Sequence, residues 1–174
     1  MSYFAAAVVR GPKGWAAYDF DLSGVSDIED VADRLRDVDL DAEVSLLFVE
    51  IDEEYLALLR LDDGEDLRVF ASDAALAEES RLGAVLAGDL ELPNHAIDIP
   101  DDPEDPDGES EDDDLITAAG IEPVGDLEIL GDLGVSSRRL LAMCAAEGKL
   151  PSDVTTEICE ALGCADEVEE LREA

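Results

Sequence analysis

Apolar and polar positions alternate along the first third of the chain. Residues 3–10 are small or β-branched and predict a strand, Gly11-Pro12-Lys13-Gly14 a turn, and residues 15–22 a second strand with Ala16, Tyr18, Phe20 and Leu22 on one face. The two strands make a hairpin. Ser26-Asp27-Ile28-Glu29 then fits a capping box, with Ser26 as N-cap and Glu29 reaching back to it. Behind it Ile28, Val31, Ala32, Leu35 and Val38 form a helical stripe.

Residues 44–51 are nearly all apolar, the pattern of a central strand buried on both faces. Asp52-Glu53-Glu54 turns the chain into residues 55–61, and Asp62-Asp63-Gly64-Glu65 turns it again into residues 67–71. Three strands joined by short loops predict an antiparallel meander. Ser72 or Asp73 caps a following helix with apolar Leu76, Leu82, Val85 and Leu86. The order ββαβββα predicts an α+β fold, an antiparallel sheet with helices packed on one face.

The pattern breaks at residues 89–114. Pro93, Pro100, Pro103 and Pro106 interrupt any helix there, and the stretch reads as an acidic, Pro-rich linker. Beyond it the periodicity is helical. Leu127, Leu130 and Leu133 mark a short helix stopped by Gly134. Ser136 or Ser137 caps a second, with Leu140, Leu141 and Cys144, ending at Gly148. Ser152 caps a third, with Val154, Ile158 and Leu162, ending at Gly163, and Val168 and Leu171 mark a last short one. The expected organisation is a sheet domain over 1–88, a linker over 89–114 and a small all-α module over 115–174. So few large apolar residues make a marginal bundle, which needs the sheet or a partner to lean on.

Charge changes this picture more than composition does. The chain has 47 acidic and 11 basic residues, a net charge of −36. Phosphate and anionic membranes repel such a surface, so direct nucleic-acid or membrane binding is not expected; a basic protein or a cation would be attracted. Salt adaptation alone spreads acids over a whole surface, yet 13 of them, with no base, sit in residues 89–114. The N-terminal residues show no basic signal-peptide region, no apolar run approaches the ~20 residues of a membrane helix, and three cysteines suggest a reducing compartment. Cytoplasmic location is the expectation.

No recognisable catalytic or cofactor set emerges. Cys159 and Cys164, with four residues between them, sit across a helix end, and a zinc site would need the one further thiol, Cys144, and the single His95, remote in the acidic stretch, to converge on them. The zinc-deaminase signature is absent, because His95-Ala96-Ile97 lacks the glutamate and there is no C-x-x-C. Buried small hydrophobes are the simpler reading of the cysteines. The run from Asp102 to Gly108 looks like a calcium loop, but placing Gly108 at its sixth position puts Pro103 where the first carboxylate belongs. Phosphate-binding glycine loops are missing. Arg138-Arg139, the one adjacent basic pair, fits local ion pairing better than phosphate binding. Catalytic, cofactor-binding and metal residues are therefore read as none.

Several landmarks occur in a familiar order: Tyr3-Phe4-Ala5-Ala6, Trp15, Asp19-Phe20-Asp21-Leu22, Asp52-Glu53-Glu54-Tyr55, Arg68-Val69-Phe70, Ser72-Asp73-Ala74, Val124-Gly125-Asp126, Asp132-Leu133-Gly134, Leu150-Pro151-Ser152-Asp153 and Leu171-Arg172. On these the chain resembles the actinobacterial tRNA adenosine deaminase-associated proteins. That family's name reflects gene neighbourhood with a tRNA-editing deaminase, and it brings no catalytic residues to carry over. The resemblance implies a non-catalytic accessory protein whose partner is a basic, RNA-handling enzyme. The alternative is a general acidic adaptor module with an unrelated basic partner. Asp52, Glu53 and Glu54 at the rim of the sheet, and Asp101, Asp102, Asp112, Asp113 and Asp114 in the linker, are the expected partner contacts.

Overall fold

The computed structural model describes residues 3–73, 75, 79–87, 123–146 and 149–173. Its centre is a six-stranded sheet in the order β2-β1-β3-β4-β5-β6, antiparallel throughout. The strands are β1 (Tyr3–Gly11), β2 (Gly14–Asp19), β3 (Val44–Ile51), β4 (Tyr55–Asp62), β5 (Asp66–Ala71) and β6 (Val124–Gly125). The helices are α1 (Ile28–Val38), α2 (Arg81–Ala87), α3 (Ser137–Ala145), α4 (Pro151–Leu162) and α5 (Ala165–Glu173), with a 3-10 turn at Gly131–Leu133. The fold is α+β, as the sequence pattern requires.

The apolar run of β3 and β4 explains the architecture. Both strands are buried along almost their whole length, so both faces of the sheet must be covered. One face carries Ala5, Ala7, Leu47, Val49, Ile51, Leu59 and Leu61 and packs on Val31 and Leu35 of α1 and Leu86 of α2. The opposite face carries Val8, Leu46, Phe48, Leu56, Leu58 and Phe70. The C-terminal segment covers it with Ile129, Leu130, Leu140, Leu141, Val154, Ile158 and Val168. The segment expected to be purely helical thus also contributes a strand, β6, to the sheet edge.

Local corrections have simple causes. The N-cap of α1 is Asp27, not Ser26. The Asp27 carboxylate accepts from the Asp30 N–H at 3.0 Å, and Asp30 accepts from the Ser26 N–H, so the reciprocal cap is shifted one residue along. β2 stops at Asp19, yet Phe20 and Leu22 stay buried because the chain turns under α1. Leu150, not Ser152, is the cap residue of α4. Pro151 occupies its first turn and Asp153 accepts from the Leu150 N–H at 3.1 Å. Ser136 caps α3, and Gly134 and Gly163 end their elements in the left-handed conformation, as the pattern suggested. The 89–114 stretch with His95, and Leu76 and Gly148, lie outside the described residues.

Gly125 makes the closest approach. It sits at φ +98° against β5, and a Cβ there would fall well inside contact distance of the Val69 carbonyl oxygen. That oxygen already accepts from the Asp126 N–H at 2.9 Å. Gly125→Ala should therefore destabilise the fold by about 2 kcal/mol or more, through left-handed strain and a backbone clash together. A urea melt of the full chain checks this, and an unchanged midpoint would show that β6 is not held where it lies.

Candidate interaction site

Two ion pairs, each with its sheet member buried, fasten the C-terminal segment to the sheet. Arg60 lies in mid-β4 and is 4% exposed. Its Nη1 donates to the Ile129 carbonyl at 2.8 Å and to Asp132 Oδ1 at 2.5 Å, its Nη2 donates to Asp132 Oδ2 at 2.8 Å, and its Nε donates to Asp62 Oδ1 at 3.0 Å. The fork is filled, which is how a guanidinium tolerates burial. The hydrogen bonds from Arg60 hold the Asp132 carboxyl below its usual range. Arg68 extends the row toward Asp62 and Asp126.

The second pair joins β3 to α5. Glu50 is 6% exposed, and both its oxygens accept from Arg172 Nη2, at 2.5 and 2.7 Å. The Arg172 guanidinium also lies 4.3 Å from the centre of the Phe4 ring. Burial raises the Glu50 pKa, and the hydrogen bond and charge of Arg172 pull it back. Cys159 and Cys164 are fully buried nearby; the Cys159 thiol is pushed up by its hydrogen bond with Cys164 and by burial, and burial pushes Cys144 up to about 12. Thiols raised in this way, those of Cys144 and Cys159, are poor nucleophiles. Among the described residues no group of three His, Cys, Asp or Glu side chains is placed to hold a metal ion.

These pairs position the fold and leave chemistry to the surface. Asp52, Glu53 and Glu54 form the exposed β3–β4 turn, where Asp52 and Glu53 adopt φ +52° and +60° and Glu54 N–H bonds back to the Ile51 carbonyl at 3.0 Å. This is the left-handed hairpin turn that suits the twist of flanking strands. Tyr55 beside it donates to Glu79 at 2.6 Å, and Glu54 and Asp73 add to the negative field that raises the tyrosine pKa. Asp101, Asp102, Asp112, Asp113 and Asp114 lie outside the described residues, so of the eight expected contacts the structure brings together the three on this turn.

The sequence reading missed a second acidic feature at the opposite end of the sheet. Arg36, Asp39, Leu40, Ala42, Ser45, Asp63, Gly64 and Glu65 line an open depression of about 330 Å³. It lies between the end of α1 and the β4–β5 turn. Asp63-Gly64 was legible as a turn and Val38 as a helix end, but nothing along the chain says that the two meet.

The Glu50–Arg172 pair makes a pH-dependent prediction. Arg172→Met strips the carboxylate of its partner and keeps most of the volume. At about pH 7 the unpaired buried charge should cost about 3 kcal/mol. Without Arg172 the folded-state pKa of Glu50 rises further above its unfolded value. The protonated form is then favoured by folding, so stability is greatest at low pH and lost as pH rises through the folded pKa. The gap between the variant and the parent chain should therefore shrink toward about pH 4. Urea midpoints across that range test it; a gap constant with pH would mean that Glu50 carries no buried charge.

Among the described residues no helix is long and apolar enough to cross a membrane. No curated protein and no solved structure matches the chain. A family model of Rv3753c-like tRNA adenosine deaminase-associated proteins matches residues 3–165. That span runs from the start of β1 into the first turn of α5 and takes in the Arg60–Asp132 pair and both acidic ends of the sheet. Sheet, clamp and acidic turns are thus all parts of a chain that belongs to the Rv3753c-like tRNA adenosine deaminase-associated protein family.

Proposed function

We propose that the chain is a non-catalytic accessory protein that binds a tRNA adenosine deaminase and modulates it. The observation that carries this is the family match over residues 3–165, whose description is deaminase-associated and not deaminase. Charge supports the same reading. A tRNA-handling enzyme presents a basic groove to its substrate, and 47 acids against 11 bases complement such a surface. The exposed turn Asp52-Glu53-Glu54 and the acids Asp101, Asp102, Asp112, Asp113 and Asp114 are proposed to meet it. Three free thiols fit a reducing compartment, and the cytoplasm is the proposed location.

Titration calorimetry of the full chain with the purified deaminase tests the proposal. Saturable heat is expected at low salt, with affinity at least about tenfold weaker in half-molar salt, because exposed charge attraction is screened. Absence of heat and of co-elution at low salt would overturn it, leaving the reading of a general acidic adaptor for another basic protein.

The chain alone should not retain tRNA. Binding a polyphosphate requires basic groups that displace counterions, and here every segment of the chain is net acidic. A low-salt gel shift measures this; micromolar retention of tRNA by the isolated protein would contradict the accessory role as stated.

A further inference from the structure

We propose that the depression between α1 and the β4–β5 turn takes a lysine or arginine side chain of the partner protein. The proposal rests on the accessory reading above and names a contact within it. Its walls differ in what they have to offer. Arg36 is already committed: Nε donates to the Gly64 carbonyl at 2.6 Å and Nη1 to Asp33 at 2.7 Å, so this cation fixes the turn to α1. Asp39 Oδ1 accepts from the Asp41 N–H at 2.9 Å, which holds that carboxylate in place at the helix end. Asp63 and Glu65 lie on the tip of the turn and have no side-chain hydrogen bond or ion pair among the described residues.

The floor carries the second observation. Ser45 is a β3 residue only 4% exposed, and it lines the depression. Its hydroxyl has no hydrogen-bond partner among the described residues and is not sealed from solvent, so it opens onto the depression, where an entering group can take the place of water. A donor entering from outside would satisfy it. At the lip stands Leu40, 79% exposed, with Ala42 beside it. Carboxylates at the rim, a hydroxyl on the floor and an apolar lip together match a side chain with a cationic head and an aliphatic stem. A bare metal ion would leave the apolar part unused. The volume, about 330 Å³, is at the low end of small-ligand sites and suits a single side chain.

The turn also makes the site easy to neutralise without unfolding the protein. Asp63 sits at φ +51°, a conformation that asparagine accepts readily, and Glu65 is exposed. Two measurements test the proposal. In the first, amide NMR of the full chain is followed during titration with Nα-acetyl-arginine amide. Shifts are expected at Leu40, Ser45 and Gly64, and their loss in Asp63→Asn/Glu65→Gln but not in Asp52→Asn/Glu53→Gln/Glu54→Gln. Shifts spread evenly over both acidic turns, or equal shifts with calcium chloride, would overturn the site as an arginine or lysine pocket. In the second, the same variants and Leu40→Ser, an exposed change that leaves the core intact, are titrated with the deaminase. The depression variants should bind at least about tenfold more weakly than the parent. Parent-like binding by both would overturn the inference while leaving the accessory function standing. Failure of the parent chain to bind the deaminase, with the arginine shifts intact, would remove the accessory function and keep the site.

Discussion

Arg60 stays charged in the middle of a buried strand because a segment about seventy residues further along the chain brings it a carbonyl and a carboxylate. Much of the remaining structure follows from that arrangement. Strand β4 is apolar on both sides of Arg60, so the sheet needs a cover on each face. The cover that comes from the C-terminal segment must carry acceptors at one point and apolar side chains everywhere else. Ile129 does both, with its carbonyl on Arg60 and its side chain in the core. A guanidinium left without these partners would be an uncompensated buried charge, a penalty large enough to decide where the segment docks.

The Glu50–Arg172 pair repeats the device at the other end of the same face with the signs exchanged, since here the sheet supplies the anion. Two oriented ion pairs add directional information that apolar contact lacks. A helical segment of modest apolar content could slide on a flat face of leucines and valines. Directed bonds at two separated points fix its register, forked at Arg60 and through Nη2 alone at Arg172. The same apolar contacts then supply most of the stabilisation, in proportion to the area removed from water.

Charge elsewhere is organised by what the core excludes. Apart from Glu50, which Arg172 pairs, the buried strands β3 and β4 keep their acids to their ends and to the hairpin turns. This leaves two acidic ends. One is the hairpin tip at Asp52–Glu54, which offers charge alone. The other is the depression beneath Asp63 and Glu65, which adds an apolar lip and a floor hydroxyl. For a family described as tRNA adenosine deaminase-associated, the proposed long-range attraction and short-range fit would then reside on different parts of one surface.

Much of the fold was written locally. Alternation in β1, the unbroken apolar run of β3 and the acidic turns after β3 and β4 set strands, order and antiparallel pairing, because side-chain period and turn chemistry act over a few residues. The caps were legible to within a residue or two, since any neighbouring carboxylate or serine can serve. What the sequence could not carry was convergence. Arg60 falls unmarked within an expected strand, and Arg172 and Gly125 stand only among the landmarks of the family resemblance. Only tertiary packing brings Asp132 to the first, Glu50 to the second and the Val69 carbonyl against the third. The depression is of the same kind, with Ser45, Leu40 and Glu65 drawn from three elements. Composition by itself determined the sign of the surface; the tertiary structure decided where that sign meets shape, because a site is a property of distances between residues that the chain keeps apart.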